Sequence, residues 1–137
     1  MIGKFTGSFE LVPIPPKHWW NSTMYEFRSN PYSPIAYHVG LIEYQPDHHF
    51  KTDGGSIPKL VQLIPCFQRD RFWRSYAFHD SAYKHGWIYV NGMQTPIYRD
   101  QADAMLHDMI LVEHGTDTTA NTVYAFVRAF GWASWRE

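Results

Sequence analysis

The sequence predicts an α+β protein, with a small β-rich first half followed by helices, in a single domain that covers residues 1–137. β-Branched and aromatic residues cluster between Tyr25 and Phe50, where prolines and glycines divide them into short segments. Apolar residues recur at helical spacing from Arg99 to His114. Asn91-Gly92 lies between alternating residues, which is the strongest short-range signal for a β-hairpin in this chain. These three features together predict the fold class.

The first half is expected to consist of extended segments. Prolines oppose helix formation in residues 1–20, so an extended arm is predicted there. Short strands are predicted at residues 35–39 and 41–44, each bounded by proline or glycine. A short helix over residues 58–65, capped by Ser56, marks the change to helical character.

The second half is predicted to contain three helices. The first runs from Arg69 to His85, and Gly86 stands where a helix usually stops. The hairpin at residues 87–98 leads into the second helix, Arg99–His114. Asp117 can cap a third helix, which carries an apolar stripe. Two helices joined by a hairpin can lie side by side.

Composition narrows the classes of function. With 45% hydrophobic residues, 18% charged residues and a net charge of -1, the chain is typical of a globular protein. The 12 basic and 13 acidic residues form no run, so we expect no nucleic-acid partner. Cys66 is the single cysteine, which excludes an internal disulfide. We expect a soluble protein without a signal peptide or transmembrane segment, because neither pattern occurs.

The most informative segment is the predicted helix around His79. His79 shares a stripe with Tyr76 and Tyr83, so it is expected to face the interior among aromatic rings. Asp80 is rotated by about 100° on the same helix and should serve a different partner. Asp103 lies at the edge of the apolar stripe of the second helix, where a carboxylate is costly unless it is paired. We therefore predict that a ring nitrogen of His79 lies within ~3.2 Å of an Asp103 oxygen.

Two interpretations of such a pair remain open. In the first, the hydrogen bond between His79 and Asp103 is structural and locks two helices together. In the second, the two residues form a catalytic dyad, in which Asp103 fixes the imidazole tautomer and His79 removes a proton from water.

Two sets of residues could bind a metal ion. Asp53 and Gly55 in the loop before the helical half, together with Asp80, could offer oxygen ligands to Ca²⁺. A turn followed by a helix cap explains the same loop without a metal. A Zn²⁺ site is also conceivable, although a solvated polar face explains its two surface histidines equally well. Its ligands would be His79, Asp103, His107 and His114.

Three motifs in this order resemble a known family. They are Thr52-Asp53-Gly54-Gly55-Ser56-Ile57-Pro58, His79-Asp80-Ser81-Ala82-Tyr83 and Arg99-Asp100-Gln101-Ala102-Asp103. The chain resembles the family called domain of unknown function 1353 over roughly residues 40–112. That family occurs in bacteriophages and prophages, so the resemblance implies a phage protein located in the host cytoplasm or associated with the virion.

The helical part also resembles, more distantly, the catalytic helix pair of A2-class phospholipases. That resemblance implies that His79 is the base that activates water and that Asp103 orients it. It further implies that Asp80 binds calcium and that Tyr83 supports the network. The expected fold is then a phospholipase-A2-like helix pair joined by a β-hairpin, with an additional C-terminal helix.

The expected function is a phage or prophage hydrolase that acts on an ester of a lipid or envelope component. The alternative is a non-enzymatic virion, assembly or host-interaction protein, in which the buried polar network of His79, Asp80, Tyr83 and Asp103 only fixes the fold. A third possibility is a small module that inactivates a host protein and uses Trp19 and Trp20 as anchors.

Overall fold

The computed structural model describes residues 3–15, 18, 24–52, 72–113, 115–133 and 135. Strands prevail in the first half of the chain and helices in the second, so the α+β prediction is confirmed. The eight strands of the described residues are β1 (Lys4–Thr6), β2 (Phe9–Ile14), β3 (Met24–Ser29), β4 (Ala36–Val39), β5 (Ile42–Gln45), β6 (His49–Thr52), β7 (Trp87–Val90) and β8 (Met93–Pro96). The helices are α1 (Trp73–His85), α2 (Arg99–Val112) and α3 (Asp117–Phe130), followed by a 3-10 turn at Gly131–Ala133.

The strands form two antiparallel sheets. One has five strands in the order β1-β4-β5-β7-β8, and the other has three in the order β2-β3-β6. Within the described part of the expected N-terminal arm, residues 4–6 and 9–14 are extended, and they supply one strand to each sheet. The predicted hairpin joins β7 to β8, and both turn residues have positive φ, 51° at Asn91 and 81° at Gly92. This geometry is the type I′ turn for which Asn-Gly is preferred.

Helix α1 occupies the centre of the protein. Its residues from Ser75 to Tyr83 are all buried, so the helix packs on every side and not only along one stripe. It begins at Trp73, four positions after the predicted start, while residues 69–71 lie outside the described part of the chain. It ends as predicted at Gly86, whose left-handed backbone (φ 73°) directs its N–H to the carbonyl of Ala82.

Helices α2 and α3 are present, and their ends differ slightly from the predicted ones. Helix α2 ends at Val112, two residues before the predicted end. The predicted cap of α3 is wrong: Asp117 is the first helical residue, and Thr116 is the cap. Thr116 has the extended backbone that a capping residue requires, and its hydroxyl accepts a hydrogen bond from the N–H of Thr119 at 3.1 Å.

The first two helices run antiparallel. The carboxylate of Glu113, at the end of α2, accepts a hydrogen bond from the N–H of Ser75, at the start of α1, at 2.8 Å. This contact satisfies one of the amide groups that the first turn of α1 leaves without a helical partner. Three apolar clusters surround α1: one joins it to α2 and α3, one to the sheets, and one to the β7–β8 hairpin. None of the described helices has both the length and the apolar composition needed to cross a bilayer.

Candidate functional site

His79 of α1 and Asp103 of α2 are in contact, as the sequence predicts. The Nε2 atom of His79 lies 2.7 Å from the Oδ1 atom of Asp103, and both side chains are fully buried. Tyr83, one turn after His79, donates its hydroxyl hydrogen to the same carboxylate oxygen at 2.6 Å. The rings of His79 and Tyr83 also contact each other, with centroids 4.1 Å apart. The structure therefore brings together the three residues predicted for the catalytic group.

Helix α3 contributes a residue that sequence reasoning missed. Arg128 donates a hydrogen bond to the second oxygen of Asp103, Oδ2, at 2.8 Å. Arg99 lies 3.7 Å from the same oxygen and donates to the carbonyl of Val127 at 3.0 Å. Arg99 stands one helical turn before Asp103, so its proximity is local, whereas Arg128 comes from the next helix and no spacing indicates it.

These contacts keep Asp103 ionised. Burial alone raises the pKa of this carboxyl. The hydrogen bonds from His79, Tyr83 and Arg128 oppose this effect of burial, and the pKa of Asp103 lies below its usual range. In Tyr83 the opposite occurs: burial and then the adjacent carboxylate raise its pKa. Tyr83 is therefore a neutral hydrogen-bond donor to an anion.

The ionised carboxylate sets the tautomer of His79. A carboxylate only accepts hydrogen bonds, so the short contact requires a hydrogen on Nε2 of His79. In the neutral ring, Nδ1 then carries a free lone pair. Among the described residues, this buried atom has no hydrogen-bond partner. A buried nitrogen in that condition is a candidate for holding a water or a substrate proton.

The 3-10 turn after α3 closes the network from the side of Tyr83. A Cβ atom at Gly131 would lie 2.5 Å from the Tyr83 hydroxyl, so glycine is the residue that lets the turn approach this closely. Trp135 packs edge-on against the Tyr83 ring, with centroids 5.2 Å apart. The phenol is thus held in place by its surroundings as well as by its hydrogen bond.

The structure describes only one of the three residues expected to bind calcium. Asp80 is buried, 3% exposed, on α1, while Asp53 and Gly55 lie outside the described residues. Across the described ranges, no three His, Cys, Asp or Glu residues form a group that could bind a metal ion. Two of the three proposed calcium ligands thus lie outside the described residues.

The described candidates for zinc ligands, His79, Asp103 and His107, do not form one group. One ring nitrogen of His107 lies 2.8 Å from Asn121 Oδ1 and the other 3.2 Å from Asp108 Oδ1. His107 thus contacts neighbours on α2 and α3, whereas His79 contacts Asp103. His114 lies outside the described residues, as do the proposed anchors Trp19 and Trp20.

The sequence matches no protein-family model, and no curated protein or solved structure shows significant similarity to it.

Proposed function

We propose that this protein is a hydrolase in which His79 activates water and Asp103 holds its ring. The observation that carries the proposal is the state of the imidazole: Nε2 is fixed by the carboxylate, and buried Nδ1 has no hydrogen-bond partner in the described part of the chain. A general base needs a fixed orientation and a free lone pair. The substrate class proposed is an ester of a lipid or envelope component, in a bacteriophage or prophage setting, on the basis of the motif resemblance alone.

The proton transfers of the proposed reaction are carried out by His79 and water. Nδ1 of His79 takes a proton from water, and the hydroxide adds to the ester carbonyl. When the tetrahedral intermediate breaks down, the C–O bond to the alcohol breaks and the alcohol receives the proton from His79. Asp103 remains ionised throughout and stabilises the imidazolium through Nε2–H. Tyr83 and Arg128 keep the carboxylate in place through their hydrogen bonds to it.

The test is hydrolysis of phosphatidylglycerol vesicles, followed by release of fatty acid, with calcium and with a chelator. The wild type should release fatty acid in at least one condition. His79→Gln should lower the rate by about 10²- to 10⁴-fold, the usual contribution of a positioned base. His107→Gln is the matched control, because His107 is a half-buried histidine outside the network.

Stability must be measured beside activity, since the network is buried. Asp103→Asn keeps nearly the same side-chain volume, so most of the protein should stay folded. If the protein is a hydrolase, its activity should fall far more than the fraction of folded protein does. If the wild type releases no fatty acid from these vesicles in either condition, or if His79→Gln retains the wild-type rate, the proposal of a lipid-ester hydrolase is wrong.

A second candidate is a non-enzymatic virion, assembly or host-interaction protein in which this network is structural. Two observations favour it: the side chains of His79 and Asp103 are both fully buried, and Asp103 receives hydrogen bonds from α1 and α3. In that case His79→Gln and Asp103→Asn should each lower the free energy of unfolding by about 1–3 kcal/mol, with no ester hydrolysis in any variant. Chemical denaturation of the same variants supplies this measurement.

A further inference from the structure

A cavity of about 510 Å³ lies between the five-stranded sheet and α2. Its volume is in the range of small-molecule binding sites, and its walls are mostly apolar side chains. The sheet contributes Val39, Ile88 and Val90, and the helix contributes Ala104 and Met105. The hydrolase proposal does not use this cavity.

The cavity and the His79–Asp103 pair lie on opposite faces of α2. The helix residues that line the cavity are Gln101, Ala104, Met105 and Asp108, which share one face at spacings of three, four and seven. Asp103 shares the other face with Leu106 and Ile110, about 180° away at 100° per residue. Neither His79 nor Asp103 lines the cavity. The two sites can therefore be tested separately.

The cavity has an acidic and aromatic character. Of its described lining residues, Asp108 alone carries a charge, and its side chain is 69% exposed, so it stands at the mouth. Tyr37 and Tyr44 are register partners on β4 and β5, and their ring centroids are 6.4 Å apart. Burial raises the pKa of Tyr37, and the charge of Asp108 raises it further, so the field of the carboxylate reaches this wall.

We propose that this cavity binds a small amphiphile with an apolar body and one ammonium group. The body would be buried between the sheet and α2, where it removes apolar surface from water. The ammonium group would lie at the mouth beside Asp108, whose carboxylate attracts a cation. A carboxylate head group, as in a fatty acid, would instead meet Asp108 as a like charge.

Three eight-carbon probes that differ in their head group separate the contribution of the apolar body from that of the ammonium group. Binding of n-octylammonium, n-octanol and n-octanoate is measured by calorimetry and by NMR shifts at low salt. We expect affinity to fall in that order. Asp108→Asn should lower n-octylammonium affinity by about three-fold, the effect of one exposed ion pair, and leave n-octanol binding unchanged.

Ala104→Phe tests the location. Ala104 is exposed at the cavity, so a larger side chain can fill the space without crowding the core, and it should abolish binding of n-octylammonium and n-octanol. Asp100→Asn is the control, because it removes an exposed charge of α2 that does not line the cavity, and it should have no effect. Absence of binding, or undiminished binding to Ala104→Phe, overturns the site. Equal or tighter binding of n-octanoate overturns the ammonium preference.

Discussion

Asp103 is the residue on which the polar contacts between the three helices converge. Moving an ionised carboxylate into the interior costs several kcal/mol, so burial alone would not leave this group charged. Its three close donors are His79, Tyr83 and Arg128, and a hydrogen bond to a charged group contributes about 1.5–3 kcal/mol. The donors together are thus of the size needed to offset desolvation. Loss of one donor should cost more than its own bond, because the remaining charge stays buried.

The pKa of Asp103 makes stability depend on pH in a definite direction. The folded pKa is lower than the unfolded value of about 4, so the unfolded chain binds a proton first as the pH falls. The stability contributed by Asp103 is therefore complete above that unfolded value and is lost as the pH falls through the folded pKa. Asp103→Asn should lose less stability than the wild type over this acidic window. Urea denaturation at a series of pH values checks this, and parallel pH curves would contradict it.

At the scale of elements, the position of α1 depends on its contacts with the ends of other elements. Glu113 at the end of α2 satisfies the N–H of Ser75, and the turn after α3 lies against Tyr83 at Gly131. Arg99, in the first turn of α2, donates hydrogen bonds to the carbonyls of Val127 and Arg128 in the last turn of α3, at 3.0 and 3.3 Å. The helix ends thus fix the relative positions of the helices that carry His79 and Asp103.

Gly131→Ala tests the packing of this turn on α1. The added Cβ would lie 2.5 Å from the Tyr83 hydroxyl, so the phenol must move away from Asp103 or the turn must shift. We expect a loss of about 1–3 kcal/mol, the usual effect of overpacking. The backbone of Gly131 is right-handed helical (φ -67°), so alanine itself is not strained there.

Tyr83→Phe separates the clash with the Tyr83 hydroxyl from the other effects of alanine at position 131. Without the hydroxyl, Gly131→Ala should be less destabilising than in the wild type, because the closest contact is gone. A double-mutant cycle by chemical denaturation measures this coupling. Strictly additive losses would mean that the contact between Gly131 and Tyr83 does not limit the packing.

At the scale of the whole molecule, metal binding should appear as a gain in stability. If Asp80 and the loop that contains Asp53 and Gly55 bind Ca²⁺, calcium stabilises the folded state by about 2.7 kcal/mol at one hundred times its dissociation constant. Thermal melts with calcium and with a chelator measure the effect. Asp80→Asn should remove it, whereas Asp100→Asn, at an exposed position of α2, should retain it. A shift with Zn²⁺ but none with Ca²⁺ would contradict the calcium site expected from the sequence at Asp53, Gly55 and Asp80.

Local patterns in the sequence determined much of the second half of the chain. The Asn91-Gly92 turn, the end of α1 at Gly86 and the start of α2 at Arg99 follow from backbone preferences of single residues and from apolar spacing. The contact between His79 and Asp103 could also be predicted, because each would be costly to bury alone and the hairpin returns their helices side by side.

Tertiary structure decided what depends on residues distant in the chain. The division of the strands into two sheets follows from long-range pairing, such as β1 with β4 and β3 with β6, which leaves no local signal. Arg128 reaches Asp103 only because α3 packs back onto α2. The cavity likewise exists because Tyr37 and Asp108, far apart in sequence, are brought together by the packing of α2 on the sheet. A sequence records which faces are apolar or charged, whereas the three-dimensional packing determines which of those faces meet.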